Sequence, residues 1–467
     1  MPAPQFSVRS GAVGTVLALV VALLLTGAPG PASGASAYQV WTAASKTLVV
    51  RGTPVTISGS VGPSAAGHTV VLQQYAGRWT SVASAKLSST SHYSFRKAVP
   101  LGSTAFRVTK AASSTRAAGT SKVVRVVGVK PGFSSVTSGP GHTCALKYDH
   151  TLWCFGSNFD GQLGLGTTKE VPSLRRIGTS SWLWVKAGWF NTCGVRTDRT
   201  MWCTGHNEDG GAIAGPGRDA YHFTQMGTRH DWAEVTPGSY GGCGRTTGQV
   251  ALCWGKGWHG ADGTDTWTPY PVAYANWLRV ASGPRGDAQG CGIRLGDLLW
   301  CFHENSSLEP SPYVLDSSRW ASLESGYGQS CGLHTAKSLW CWGDSTYGQS
   351  GPGPTSDTPQ HVAAGSWRNA SAGYQFSCGV RSDGTAWCWG SNEYGKLGTG
   401  SYSPATSHTP LQVGSWTTWA VVDAGYDSAC GIRTDGALFC WGMVTAPGEV
   451  ADPDLPAPTH NHPVRMG

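Results

Sequence analysis

The sequence predicts an all-β protein in two parts, a small β-sandwich followed by a seven-bladed β-propeller. Three observations carry this reading. The 467 residues include 65 glycines, and no helical period of useful length appears, which favours strands and turns. A unit of 40-odd residues recurs seven times after residue 132, the period of four-stranded blades. Charge and cysteine content also change at the same place. Residues 38–130 hold 12 Lys or Arg with no Asp or Glu, whereas all 14 cysteines lie beyond residue 143. Residues 131–467 carry 21 basic and 27 acidic side chains, a balance of −6.

The chain opens on an apolar run, Val13 to Leu25, behind Arg9. It is short for a membrane span and ends in small residues, with Ala35 and Ala37 in an A-x-A arrangement. Residues 1–37 therefore read as a signal peptide and Tyr38 as the first mature residue. The mature protein is expected to be secreted and monomeric, without stable membrane insertion.

The basic segment, residues 38–130, consists of runs alternating with period two: 55–61, 69–75, 79–87, 93–99, 104–110 and 122–129. Gly and Ser separate them, as in a small sandwich. In size and strand count it resembles the immunoglobulin-like modules of exported bacterial proteins. A cationic surface without carboxylates attracts polyanions. Outside the cell these would be anionic cell-wall polymers rather than nucleic acid; a plain soluble spacer is the other reading. GVKPG (128–132) is the hinge.

Beyond it, an aromatic opens each unit: Phe133, Trp182, Trp232, Trp277, Trp320, Trp367 and Trp416. Each unit holds two cysteines ten residues apart. The pairs are Cys144 and Cys154, Cys193 and Cys203, Cys243 and Cys253, Cys291 and Cys301, Cys331 and Cys341, Cys378 and Cys388, and Cys430 and Cys440. In unit six, Ser382-Asp383-Gly384 lies midway between them. A type I turn closed by a left-handed Gly would set Cys378 opposite Cys388 at a non-hydrogen-bonded position, about 4.5 Å apart at Cα. That is at the short end of disulfide geometry. Zinc ligands come two to four residues apart rather than ten, so seven intra-blade disulfides are expected.

The best-kept unit is WRNASAGYQFSCGVRSDGTAWCWGSNEYGKLGTG (367–400), and 138–166 follows it closely. The AG before the second strand, the DG hairpin, the CWG closure and the N-x-x-G-x-L-G tail resemble the regulator of chromosome condensation repeat. The likeness covers residues 133–467 and implies a seven-bladed propeller with four antiparallel strands per blade. Units four (302–313) and seven (442–463) depart from the glycine-rich tail.

In a four-strand meander, the turn after the first strand and the loop after the third share a face. On that face, next to the Gly that ends the first strand, stand Trp189, Phe190, Tyr240, Tyr327, Tyr374, Phe376 and Tyr426. Rigid aromatics suit a protein- or glycan-binding surface; packing between blades is the alternative. Trp153, Trp202, Trp300, Trp340 and Trp387, beside each second cysteine, read as inter-blade core. His460 and His462 lie in a Pro-rich tail and read as solvated rather than metal-binding.

No HExxH, G-x-S-x-G or P-loop occurs, and no cysteine is left over as a nucleophile. No catalytic residue, metal or cofactor is therefore assigned. The resemblance includes nuclear exchange factors, but export separates this chain from a cytosolic GTPase; secreted bacterial members that inhibit enzymes are the nearer analogy. The expectation is a secreted binding protein whose propeller face recognises an unidentified protein or glycan. A secreted polysaccharide lyase or hydrolase is the alternative.

Overall fold

The computed structural model describes residues 35–208, 210–212, 217–238, 241–259, 265–282, 289–303, 313–444 and 459–466. Nearly all of the expected signal peptide, Tyr240 and most of the two aberrant repeat tails lie outside the described residues. The chain divides into two compact units. The second comprises Val127–Gly467 with the short segments Leu48–Thr53 and Val99–Gly102, and the first holds the remainder.

The N-terminal strands are β1 (Gln39–Ala44), β2 (Leu48–Val50), β3 (Pro54–Gly62), β4 (Thr69–Ala76), β5 (Arg78–Lys86), β6 (His92–Ala98), β7 (Gly102–Lys110), β8 (Gly119–Thr120) and β9 (Val124–Val129). They form two sheets, ordered β1-β3-β6 and β2-β9-β7-β4-β5, with β8 on β7. The six alternating runs all become strands. β1, β2 and β8 are additional, the last two being too short to show a period. Period-two burial is plain in Val55 and Ile57 on β3, and in Val70 and Leu72 on β4. Lys110 is also buried; its ammonium lies 4.5 Å from the Tyr38 ring centre, a cation–π contact.

Blade one is β10 (Phe133–Ser138), β11 (His142–Lys147), β12 (Leu152–Gly156) and β13 (Val171–Arg176), paired in chain order. Six more four-stranded sheets follow the same order, so every blade is built from consecutive strands. Their innermost strands are Trp182–Ala187, Trp232–Pro237, Trp277–Ser282, Trp320–Ser325, Trp367–Ala372 and Trp419–Ala424. Blade seven thus opens on Trp419, not Trp416. Trp419 is fully buried, while Trp416 packs partly buried beside it, with ring centres 5.7 Å apart.

The hairpin between the second and third strands joins each blade to the next. In unit six Gly384 takes φ +87° and accepts a hydrogen bond from Trp419 N at 2.9 Å. Five hairpins place a non-glycine residue in this left-handed position: His150, Arg199, Gln249, Asp297 and Lys337, with φ of 63–68°. Each nevertheless receives the same bond, from Trp182, Trp232, Trp277, Trp320 and Trp367 respectively. The ten-residue cysteine spacing is therefore kept without Gly, at about 1–2 kcal/mol of backbone strain per site. The series ends where it began: Phe133 N donates to Gly436 O at 2.8 Å, joining blade seven to blade one.

All 14 cysteines are paired within their own blades, as the spacing predicts. Cys144 bonds to Cys154, Cys193 to Cys203, Cys243 to Cys253 and Cys291 to Cys301. Cys331 bonds to Cys341, Cys378 to Cys388 and Cys430 to Cys440. Each pair is directly opposed in register across its second and third strands. The paired Cα atoms stand 4.0–4.1 Å apart, closer than the expected 4.5 Å.

In six blades a glycine follows the first cysteine, and packing explains it. A Cβ on Gly194, Gly244, Gly292, Gly332, Gly379 or Gly431 would come within 2.6–3.0 Å of the opening Trp ring of its own blade. Blade one opens on the smaller Phe133 and carries Ala145 there instead. Gly379→Ala is expected to cost about 2 kcal/mol by overpacking Trp367, read as a lower denaturant midpoint at unchanged slope.

The tryptophans beside the second cysteines are half-buried. Each packs one face on the core between blades. A cation or imidazole covers the other: Lys147 over Trp153 at 3.8 Å, Arg196 over Trp202 at 3.4 Å, Arg294 over Trp300 at 4.6 Å, Arg381 over Trp387 at 4.1 Å, and His334 stacked on Trp340 at 4.9 Å. Among the described residues no helix is long and apolar enough to cross a membrane.

Candidate functional site

In five blades a hydrogen bond ties the turn after the first strand to the loop after the third: Ser157 N to Gly141 O, His206 N to Phe190 O, Asp344 N to Gly328 O, Ser391 N to Gln375 O and Met443 N to Asp427 O, all at 2.7–2.9 Å. These segments therefore share one face, as strand parity requires. The Asn of the N-x-x-G-x-L-G tail holds its loop through its side chain. Asn158 Oδ1 accepts from Leu163 N at 2.9 Å and Asn392 Oδ1 from Leu397 N at 3.2 Å, which buries both leucines.

The aromatic residues on this face do not form an open ring. Each stands one residue past the glycine that ends an innermost strand, where the propeller is narrowest, so side chains from different blades meet over the axis. Trp189 lies 4.6 Å from Tyr327 and 5.2 Å from Tyr426, centre to centre. Tyr327 lies 5.1 Å from Tyr374, and Tyr374 stacks on Tyr426 at 3.9 Å. Backbone bonds fix the turns, Tyr327 N to Gly373 O at 3.2 Å and Tyr374 N to Gly425 O at 2.8 Å. Burial, reinforced by Tyr374, raises the Tyr426 phenol above its ordinary range, so it stays protonated. Tyr327 and Phe190 remain 39% and 38% exposed.

Phe376 does not belong to this surface. It is fully buried between blades, because it shares strand parity with Cys378 and Val380 and turns inward with them. Tyr240 lies outside the described residues. Four of the seven expected aromatics thus converge, and Phe190 flanks them at 5.7 Å from Trp189.

Beneath the aromatics, the axial cavity is lined by all seven innermost strands. One repeat position supplies Thr137, Lys186, Thr236, Ala281, Glu324, Ser371 and Asp423. Lys186 Nζ lies 2.8 Å from Glu324 Oε2 and 3.5 Å from Asp423 Oδ1. Burial alone would lower the lysine pKa, but the two carboxylates outweigh it and hold the ammonium charged. The same position stitches neighbouring blades. Thr137 Oγ1 accepts from Ala187 N at 3.0 Å, Thr236 Oγ1 from Ser282 N at 3.2 Å and Ser371 Oγ from Ala424 N at 3.0 Å. At the junction of blades seven and one, Asp423 Oδ2 accepts from Ser138 N at 2.6 Å.

Lys396 is the other residue that sequence reasoning passed over. It occupies the tail position held by Gln162 and Gln349 in blades one and five, and its side chain is fully buried. Its ammonium donates to the carbonyls of Tyr374 and Tyr426, both at 3.4 Å, and lies 3.8 Å from Asp427. It thereby pins the two stacked tyrosines from below, although burial lowers its pKa. On the blade one–two side, Asp160, His206 and Asp219 bring ligand-type atoms within 4.8 Å of one another. Asp219 is already engaged, with Oδ1 3.5 Å from His206 Nδ1 and accepting from Asn207 N at 3.0 Å.

Seven four-stranded sheets around an axis, each closed by its own disulfide, define a repeat β-propeller whose one face presents an aromatic cluster. The chain carries regulator of chromosome condensation (RCC1) repeats: models of that repeat match residues 133–162, 185–210 and 367–396, and, in a second form, 149–195 and 383–432. Among solved structures the fold is similar to yeast RCC1 (Prp20) in its complex with Kap60. The TM-score is 0.57 at 16% identity, over 68% of this chain and 83% of that one. Prp20p of Saccharomyces cerevisiae, described with its binding to Gsp1p and histones, gives 0.57 and 16% over 68% and 85%. No curated protein matches the sequence.

Proposed function

We propose that this protein is a secreted binding protein whose propeller captures a protein partner on the aromatic face. The observation that carries the reading is the cluster of Trp189, Tyr327, Tyr374 and Tyr426 over the axis, anchored from below by Lys396 and still exposing Tyr327. Pre-ordered aromatics lose little entropy on contact and make good binding anchors. The similar yeast propeller is described with protein partners, Kap60, Gsp1p and histones, and a protein-binding role is carried over here as scaffold use only. Seven disulfides suit an oxidising compartment. Both carboxylates of the axial triad are bonded to Lys186, which favours binding over acid–base hydrolysis. The basic N-terminal unit, by its charge, would hold the protein on anionic wall polymers.

The test is retention of proteins from the native extracellular medium by the full mature chain. Tyr327→Ala with Phe190→Ala should reduce specific retention at least tenfold with little change in thermal midpoint, since both side chains are partly exposed. Undiminished retention by the folded double variant would refute the aromatic face as the site.

A further inference from the structure

The loops that surround the aromatic cluster carry charge of predominantly one sign. Asp160, Glu208, Asp219, Asp344, Glu393 and Asp427 all lie on the turns and third-strand loops of this face, and Glu208 and Glu393 are exposed. Three of them adjoin the aromatics through neighbouring groups. His206, beside Asp219, lies 6.0 Å from the Phe190 ring; Asp427 follows Tyr426 directly; and Asp344 N is bonded to the turn that follows Tyr327. The described cations on these loops do not balance them. Lys396 is buried under the tyrosines, His206 is paired with Asp219, Lys169 and Arg218 stand just before the outermost strands of their blades, and Lys256, exposed on the third strand of blade three, adds a single positive charge. Asp160 shows the consequence: burial, then the neighbouring Asp219 and Glu208, raise its carboxyl pKa.

From this juxtaposition we propose that the aromatic face is a docking site for a cationic polypeptide segment, one bearing several Lys or Arg side chains, on a separate protein. The inference rests on the aromatic face being the binding site and adds the partner's chemistry. Two features of the face recognise such a segment together. Exposed Tyr327 and Phe190 offer ring faces to a guanidinium or ammonium, and the surrounding carboxylates accept charge-assisted hydrogen bonds from it. The carboxylates also steer a positive partner toward the axis and repel negative ones.

The experiment uses the full mature chain and three synthetic peptides of equal length: one rich in Lys and Arg, one in Gly and Ser, and one in Asp and Glu. Binding is measured by calorimetry at low and at physiological salt. The cationic peptide should bind at least tenfold tighter than the neutral one and weaken as salt rises. Neutralising the rim with D160N, E208Q and E393Q should remove most of that preference, while a thermal midpoint near the parent's shows the fold intact. Should the variant unfold, E208Q with E393Q alone, both exposed, should still lower cationic-peptide affinity several-fold. Equal affinity for cationic and neutral peptides, or a cationic preference unmoved by neutralisation, overturns the proposal. Sedimentation showing a dimer that dissolves on neutralising the rim also overturns it, because the occupant would then be the basic unit of a second copy. If Tyr327→Ala abolishes binding of the neutral peptide while no cationic preference exists, the aromatic site stands and only the partner chemistry falls. If Tyr327→Ala with Phe190→Ala affects no peptide, both readings fall.

Discussion

Asp423→Ala is expected to lower the stability of the propeller by about 3 kcal/mol. Asp423 performs three tasks with one carboxylate. Oδ2 accepts from Ser138 N at 2.6 Å across the junction of blades seven and one. Oδ1 accepts from Ser371 Oγ at 3.3 Å and lies 3.5 Å from the Lys186 ammonium. Among the described residues no strand is exchanged between those two blades, and this bond, the Phe133 to Gly436 bond and a shared apolar cluster close the ring. Removing one partner of a buried ion pair typically costs 3–5 kcal/mol, because the other charge is stranded. Here Lys186 keeps Glu324 as a partner at 2.8 Å and 20% of its side-chain surface, so the charge is not stranded and the lower end applies. Asp423→Thr should recover about 1 kcal/mol, since Thr137 and Thr236 do the same bridging elsewhere in the ring. Adding Lys186→Met to Asp423→Thr should lower stability again, because it leaves the Glu324 carboxylate without its partner at 2.8 Å. Chemical denaturation measures all three. A loss below about 1 kcal/mol for Asp423→Ala would show that the triad and the junction bond are incidental.

How much of this was readable beforehand depends on how local each feature is. The disulfides were legible because hairpin register is set by a count of residues between two cysteines, and the structure places Cys378 opposite Cys388 as that count requires. The sharing of a face by turns and third-strand loops followed from strand parity alone. Phe376 was misplaced although the signal existed: Phe376, Cys378 and Val380 alternate, and parity with a disulfide cysteine directs the first of them into the core. Trp416 was likewise resolvable, since the opening aromatic stands 11 residues before the first cysteine in blades one, two, three, five and six, which selects Trp419. The axial triad was not legible. Glu324 and Asp423 stand 138 and 237 residues from Lys186 along the chain, and only closure of seven blades brings them within bonding distance. For the same reason the aromatics read as a ring rather than a cluster, because sequence gives angular order around the axis but not the radius.

The second large effect is acid lability through His142. Its side chain is 1% exposed, with Nε2 3.0 Å from Thr192 Oγ1 and Nδ1 3.4 Å from Pro140 O at the junction of blades one and two. Burial pushes its pKa down to about 4, against weaker opposition from backbone hydrogen bonds at Pro140 and Asn191. The unfolded chain titrates this histidine near 6.5. Between those values the unfolded state binds a proton that the folded state refuses, so stability falls as pH drops from about 6.5 to 4 and levels off below. The interval of about 2.5 units corresponds to about 3 kcal/mol. Other groups act in different windows or with opposite sign. Asp198 and Asp383, held below their usual range by bonds from Thr200 and Thr385, lose their contribution only as pH falls below the ordinary carboxylate value. Asp160 and Asp427, raised by burial, favour the folded state on acidification. The difference between parent and a His142 variant isolates the histidine. Gln is the natural replacement, because Gln329 fills the same register position in blade five and bonds across to blade six, to Gly373 O and Phe376 O. His142→Gln should flatten the stability profile between about pH 6.5 and 4 by most of that ~3 kcal/mol while leaving stability at about pH 8 within about 1 kcal/mol of the parent. Parallel profiles for the two proteins across that range would show that His142 is not the group that titrates.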